Sequence, residues 1–353
     1  MKLKKRRTVL IVLLAVLFAL IVTGFVLLKH SLSRIDRTYN DPVEIIAPEN
    51  EFFETDPEPE ATPSQGVTEP VEEPVQPTED PNVLPSGPSG VEWSFIDSIE
   101  DDHLINILLI GQDGGWETKT RQHSDSMILC SVNPETGKVA LISFLRDTYV
   151  QIPGGYSDNR LNMPYLLGGF DLLDQTLEAN FGISVDANIA INFTGFEAIV
   201  DYLGGLDVNL SAAEVEHIER VWGLDVEEGL NHLDGRYALN YVRMRKVGND
   251  FGRSQRQRTA ILTLLDKVKD LPVSQLLTLV YDMLPYLSTD LTDSEILALA
   301  YRLLPMVSSL SIENHMVPDH DCYTAAKIRN MSVLVPDRDR IRQRLEEEYL
   351  PLK

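Results

Sequence analysis

The chain has 353 residues, enough for one large domain or two small ones, and its hydrophobic content of 43% is ordinary for a globular protein. A formal net charge of -23, from 54 acidic against 31 basic residues, argues against nucleic-acid binding, which rests on neutralising phosphates. With two cysteines there is no disulfide framework; whether Cys130 and Cys322 pair stays open, and no Cys/His cluster has zinc spacing.

Residues 8–28 form an uncharged, almost wholly apolar run of 21, about the ~20 needed for a helix to cross a bilayer core. Lys2, Lys4, Lys5, Arg6 and Arg7 precede it, and Lys29, Arg34 and Arg37 follow more sparsely. The denser basic cluster stays inside, so the expected topology is single-pass. Residues 1–7 are then a cytoplasmic tail, 8–28 a transmembrane helix, and the C-terminal bulk is extracellular. A cleaved signal would have a shorter apolar core and a small-residue cleavage site.

Residues 29–92 read as a linker. Between 41 and 90 there are 13 acidic residues, no Lys or Arg, and 11 of the 20 prolines. Such a composition cannot bury enough apolar surface to offset its ordering entropy, so an extended acidic stalk is expected.

A folded domain is expected over 93–353. The run 105–110 (INILLI) has the continuous apolar character of a strand buried on both faces. Strands are also expected at 126–132 and Lys138–Phe144, joined by a turn-rich Asn133–Gly137 segment, and at 187–193. Phe196, Ile199, Val200 and Leu203 follow helical spacing and stop at Gly204-Gly205; Ser211 with Glu214 reads as a capping box. A helix at about 254–271 ends before Pro272, and amphipathic segments continue to 307, giving an expected helical extension over 271–353. The fold class that follows is α/β, a central mixed β-sheet flanked by helices, preceded by one transmembrane helix.

Several polar residues are not explained by folding. The apolar stripe Ile261, Leu264, Leu265 and Val268, projected back along its helix, reaches Gln257, Arg256 and Arg253. Cations in a first turn oppose the helix dipole unless an anion sits there, or unless that turn is solvated. Arg243 and Arg245 share a face only if the helix opening near Asp234 ends before Arg243; otherwise they point ~200° apart. Asp113 follows one strand and Asp125 precedes another, where two carboxylates suit Mg2+, with Mn2+ an alternative. Arg146-Asp147 follows a third strand.

The segments SDSMIL (124–129), SFLRDTYVQIPG (143–154), RLNMPY (160–165), FEAIVDYLGGLDV (196–208), LDGRYALNYVRMR (233–245) and DFGRSQRQR (250–258) occur in an order that resembles the LytR–CpsA–Psr family of Gram-positive envelope proteins. The resemblance covers a motif-bearing core of about 103–270. It implies transfer of a glycopolymer, such as teichoic acid or capsule, from a polyprenyl-pyrophosphate-linked glycan to a peptidoglycan acceptor at the cytoplasmic membrane. By motif position, Asp113 and Asp125 correspond to the Mg2+ ligands. Arg146, Arg243 and Arg245 correspond to the catalytic pyrophosphate grip, continued by Arg253, Arg256 and Gln257. Asn162 and Tyr165 fall in a family stretch whose usual lysine is replaced by Arg160. His123 stands where arginine is common, with Arg121 as a substitute ligand. Asp147 and Asp250 are the general-base candidates. The competing classes are a carrier pyrophosphatase and a non-catalytic polymer- or lipid-binding envelope protein. A seven-residue cytoplasmic tail has no room for a DNA-binding domain.

Overall fold

The computed structural model describes residues 29–35, 37, 91–100, 102–112, 122–244, 246–269, 271–303, 306 and 310–351. The apolar run at 8–28 and the acidic segment at 41–90 lie outside them. Among the described residues no helix is long and apolar enough to cross a membrane.

Three successive apolar runs form the centre of the sheet: β1 (Ile105–Gln112), β2 (Ser124–Val132) and β3 (Lys138–Phe144). Both hairpin pairings are antiparallel. Asn133 shapes the β2–β3 turn, its Oδ1 accepting from the amides of Glu135 and Thr136. Two short strands, β4 (Tyr149–Val150) and β5 (Asn159–Arg160), pair beside the end of β3. The long α1 (Met163–Phe181) then leads to β6 (Ala187–Ile191), which joins β1 in parallel. The expected strand at 187–193 is shorter than its alternation suggested. Asn192 accepts from the Gly195 amide and caps α2 (Phe193–Tyr202), so Phe193 belongs to a helix.

A helical layer follows: a β7 (Leu206–Leu210) and β8 (Gly229–Leu233) hairpin enclosing α3 (Ala212–Trp222), then α4 (Gly235–Arg243) and α5 (Asn249–Lys269). The capping box at Ser211 is formed, its amide donating to Glu214 at 2.9 Å.

The expected helical extension over 271–353 requires correction. Helices α6 (Val273–Met283) and α7 (Asp293–Leu303) are present, but β9 (Leu287–Thr289) and β10 (Ser311–Val317) close the two edges of the sheet. The strand order is β10-β3-β2-β1-β6-β9, with β10 parallel to β3 and β9 antiparallel to β6. A hairpin of β11 (Tyr323–Ile328) and β12 (Met331–Pro336) and the short α8 (Arg338–Arg344) complete the chain. The C-terminal third is therefore built into the core of the domain.

Alternation along the strands sends residues to two faces. On one, Leu108, Ile110, Met127, Leu129 and Ile142 pack against α1 and the C-terminal α8 region. On the other, Ile107, Ile128, Leu141 and Ala187 meet α5 and α7. Cys130 and Cys322 are free thiols, which closes the question of their pairing.

The linker boundary also shifts. Leu32 and Ile35 are buried against Leu284, with Ile296 packed on them, so the start of the expected 29–92 linker is docked on the domain.

Candidate functional site

Between the second sheet face and the helical layer lies a cavity of about 790 Å³, within the ~300–1,000 Å³ typical of ligand sites. Its floor is a row across three strands: Ile128 opposite Leu109, and Leu109 opposite Ile189. Its roof is apolar too, from Phe193, Phe196 and Ile199 of α2, Leu239 and Val242 of α4, and Ile261 and Leu264 of α5. The wall also includes Val221 and Trp222 of α3 and Leu287 of β9. Polar side chains are few: Asp125, His217, Asn240, Arg243, Lys246, Arg253 and Gln257, with Asn192 and Ser126.

A break in strand pairing sets the position of Asp125. Ser126 lies opposite Gly111 and Ser124 opposite Gln112, so Asp125 is the extra residue of a β-bulge. Bulges re-aim a side chain at a sheet rim. Here the bulge places the carboxylate in the cavity lining. Gly111 permits the close approach, since a Cβ there would meet the Ser126 Cβ at 3.0 Å.

Arg146 sits in the turn that ends β3. Its Nη1 donates to Asp125 Oδ1 at 2.9 Å, and its Nε lies 3.8 Å from Asp147. Asp147 in turn stands 3.3 Å from Arg160 Nε. The turn is held from three directions. Thr148 donates back to Leu145, the Asn162 amide donates to the Arg146 carbonyl, and the Leu334 amide of β12 donates to the Asp147 carbonyl. The C-terminal hairpin thus fixes the backbone of the arginine that the motif singled out.

Arg243 is the last residue of α4, and its guanidinium lies 4.0 Å from the centroid of the Phe193 ring. A cation there complements the helix C-terminus and stacks on an aromatic face. Met244 is extended, so the helix gives way just after Arg243, one residue later than the shared-face requirement demanded. Arg245 lies outside the described residues, as do Asp113 and Arg121; the Asp250 side chain is likewise not described.

Arg253 and Gln257, one turn apart on α5, both line the cavity, as their stripe projection indicates. Arg256 does not. It is buried, donating to Glu214 at 3.2 Å, to the Val247 carbonyl at 2.9 Å and to the Met244 carbonyl. Its guanidinium ties α5 to the α4–α5 loop and to α3. Three protein acceptors thus occupy the guanidinium, in place of the cavity position that its motif implied. Asn162 precedes α1, buried beside the Arg146 turn and outside the cavity lining. Tyr165 is fully buried, its hydroxyl donating to Gln112 at 3.3 Å, so it supports the bulged end of β1 from below.

Lys246 and His217 are lining residues that sequence reasoning passed over. Lys246 was legible as the next cation after Arg243 and Arg245. His217 gave no signal within its amphipathic helix. Burial, together with the nearby Arg220, Lys246 and Arg256, holds its imidazole below the usual histidine range.

Among the described residues no group of three acidic, His or Cys side chains can hold a metal ion. Asp125 nevertheless suits Mg2+, which commonly takes one or two carboxylates and completes its shell with phosphate oxygens and water.

The LytR_cpsA_psr family model matches residues 76–348. The chain belongs to this family. A polyisoprenyl-teichoic acid–peptidoglycan teichoic acid transferase TagU from Oceanobacillus iheyensis is 38% identical over 176 residues, covering 48% of this chain and 52% of that protein. TagU from Enterococcus faecalis is 35% identical over 177 residues, covering 49% and 57%. The chain thus spans about half the length of the curated relatives it matches. Among solved structures, TagT bound to LIIa-WTA is similar at 26% identity and a TM-score of 0.58, over 70% of this chain and 90% of that one. Protein gbs0355 from Streptococcus agalactiae reaches 27% and 0.58.

Proposed function

We propose that this protein is a membrane-anchored phosphotransferase that moves a glycopolymer from a polyprenyl-pyrophosphate carrier to peptidoglycan on the outer side of the cytoplasmic membrane. The observation that carries the reading is the union, in one cavity, of a largely apolar lining with Arg243, Lys246, Arg253 and the Arg146-linked Asp125. An isoprenoid chain needs the first and a pyrophosphate the second. The relatives named as teichoic acid transferases support the same substrate class.

Phosphoryl transfer asks a protein chiefly for positioning and for charge placed where it develops. A hydroxyl of the wall acceptor attacks the phosphorus nearer the sugar. The P–O bond to the bridging oxygen breaks, and polyprenyl phosphate departs with the bonding pair. Arg146, Arg243 and Arg253, joined by Arg245, hold the charge on the non-bridging and leaving oxygens. Mg2+, when held by Asp125 with Asp113, supplies further neutralisation of the diphosphate. Asp147 orients Arg146 and Arg160 through its two carboxylate contacts, and with Asp250 is a candidate to take the hydroxyl proton.

The test is incubation with labelled lipid-linked glycan, with and without peptidoglycan. Label appearing on peptidoglycan together with polyprenyl phosphate is the expected result. Release of free glycan phosphate at the same rate without acceptor makes the protein a pyrophosphatase. Retention of intact carrier under both conditions makes it a binding protein.

A further inference from the structure

The eight described residues that follow the apolar run hold the domain by its α6–α7 side. Leu32 and Ile35 bury themselves against Leu284 and Ile296. Arg34 donates to the Tyr281 carbonyl at 3.1 Å and stacks on the Tyr281 ring at 4.5 Å. Arg37 donates to the Leu291 carbonyl at 3.1 Å and pairs with Asp293 at 2.7 Å, at the start of α7.

Chain length converts this docking into an orientation. Leu32 lies four residues beyond the end of the apolar run at residue 28. Four residues span at most about 14 Å even when fully extended. A domain of about 260 residues has a radius of gyration near 18 Å. The docked face therefore cannot be turned away from a bilayer that residues 8–28 cross.

That side carries apolar and aromatic side chains that stand exposed among the described residues. Tyr301 is 84% exposed, Val280 50%, Tyr281 44% and Leu297 40%. Leu297 and Tyr301, four residues apart on α7, lie on one side of that helix. Tyrosines with neighbouring cations are the residues favoured at the membrane–water interface, and here Lys29, Arg34 and Arg302 accompany them on a strongly acidic chain.

We propose that α6 and α7 rest on the bilayer surface, with Val280, Tyr281, Leu297 and Tyr301 in the headgroup zone. This rests on the reading of residues 8–28 as a membrane span. It also places β9, whose Leu287 lines the cavity, beside the source of the lipid carrier.

The experiment uses the full chain in proteoliposomes, with the photo-crosslinking residue benzoyl-phenylalanine at position 297 or 301. Position 95 is the control, because Phe95 is 87% exposed and lies next to Ser94, which is bound by Arg338 of α8 beyond the opposite sheet face. Mass spectrometry should find lipid adducts at 297 and 301 at least ten-fold above those at 95. Equal or absent adducts at 301, in protein that resists alkaline carbonate extraction, overturn the orientation while leaving the span intact. Release of the protein by carbonate overturns the span and the orientation together.

Discussion

The Arg146 guanidinium and the Asp125 carboxylate meet across 2.9 Å, joining the turn after β3 to the bulge of β2, with both side chains mostly withdrawn from solvent. Each group fixes the other's geometry, so the pair is already arranged for the phosphate that the proposed function brings to the cavity. Asp125→Asn keeps the shape and removes the charge. Transfer should fall by about 10²-fold or more, in line with the loss of one preorganised electrostatic group. The midpoint of thermal unfolding should move only a few degrees. Full activity in saturating Mg2+ would remove Asp125 from the metal assignment.

Arg146→Lys separates charge from shape. Lysine has no planar fork with which to hold Asp125 and a phosphate oxygen together. Turnover should drop by about 10-fold or more while binding of the lipid carrier, read by mass spectrometry of co-purifying lipid, persists.

Filling the cavity attacks binding instead. Ile189 sits in the floor row, and Ile189→Trp should narrow the channel and expel apolar surface that would otherwise be buried. Co-purifying polyprenyl lipid should decrease by about ten-fold. An unchanged lipid yield in a folded variant would mean the tail lies elsewhere.

Arg256 is expected to behave as a structural residue. Arg256→Ala removes the counter-ion of Glu214, which keeps its Ser211 hydrogen bonds, and leaves two loop carbonyls without this donor, a loss of about 3 kcal/mol for a buried, hydrogen-bonded charge. Denaturant unfolding should show it directly. A variant of unchanged stability and reduced activity would return Arg256 to the ligand grip.

Asp174 gives the domain a pH dependence. Burial pushes its carboxyl up to about 7, despite the hydrogen bond from Asn188, with Asp290 and Asp171 adding like charge. A raised folded-state value means the folded protein holds its proton where the unfolded chain has lost it. Between about pH 4 and 7, therefore, this group costs stability progressively as pH rises, and the cost is complete above 7. Asp174→Asn keeps an acceptor for Asn188. It should raise the unfolding midpoint at pH 8 and leave it unchanged near pH 4.

The central strands were legible because β1, β2 and β3 are buried on both faces and announce themselves as apolar runs. The edge strands were not. In β10, Ser311, Glu313 and Asn314 stand exposed, so the alternation that marks a strand is diluted by solvent-facing residues. In β9 only three residues pair, too few for any period. The site was legible in part for a related reason. Projecting the α5 stripe backwards found Arg253, Arg256 and Gln257 on the inner side, but direction alone does not say what each meets. Arg253 meets a cavity, and Arg256 meets loop carbonyls contributed by a segment that only the fold brings near. The bulge that aims Asp125 depends on register, which a single strand does not encode.

Residues 29–37 are docked on α6 and α7, and residues 91–100 are pinned again, with the Ile99 amide on the Gly182 carbonyl and Arg342 on the Asp97 carbonyl. The acidic segment 41–90 is thus flanked on both sides by residues docked on the folded body. With both flanks moored, the length of this segment does not set where the domain stands relative to residues 29–37. That position is fixed by packing on α6 and α7. Under the proposed orientation, lengthening the segment adds a closure cost that grows only logarithmically and leaves the cavity at the same distance from the bilayer.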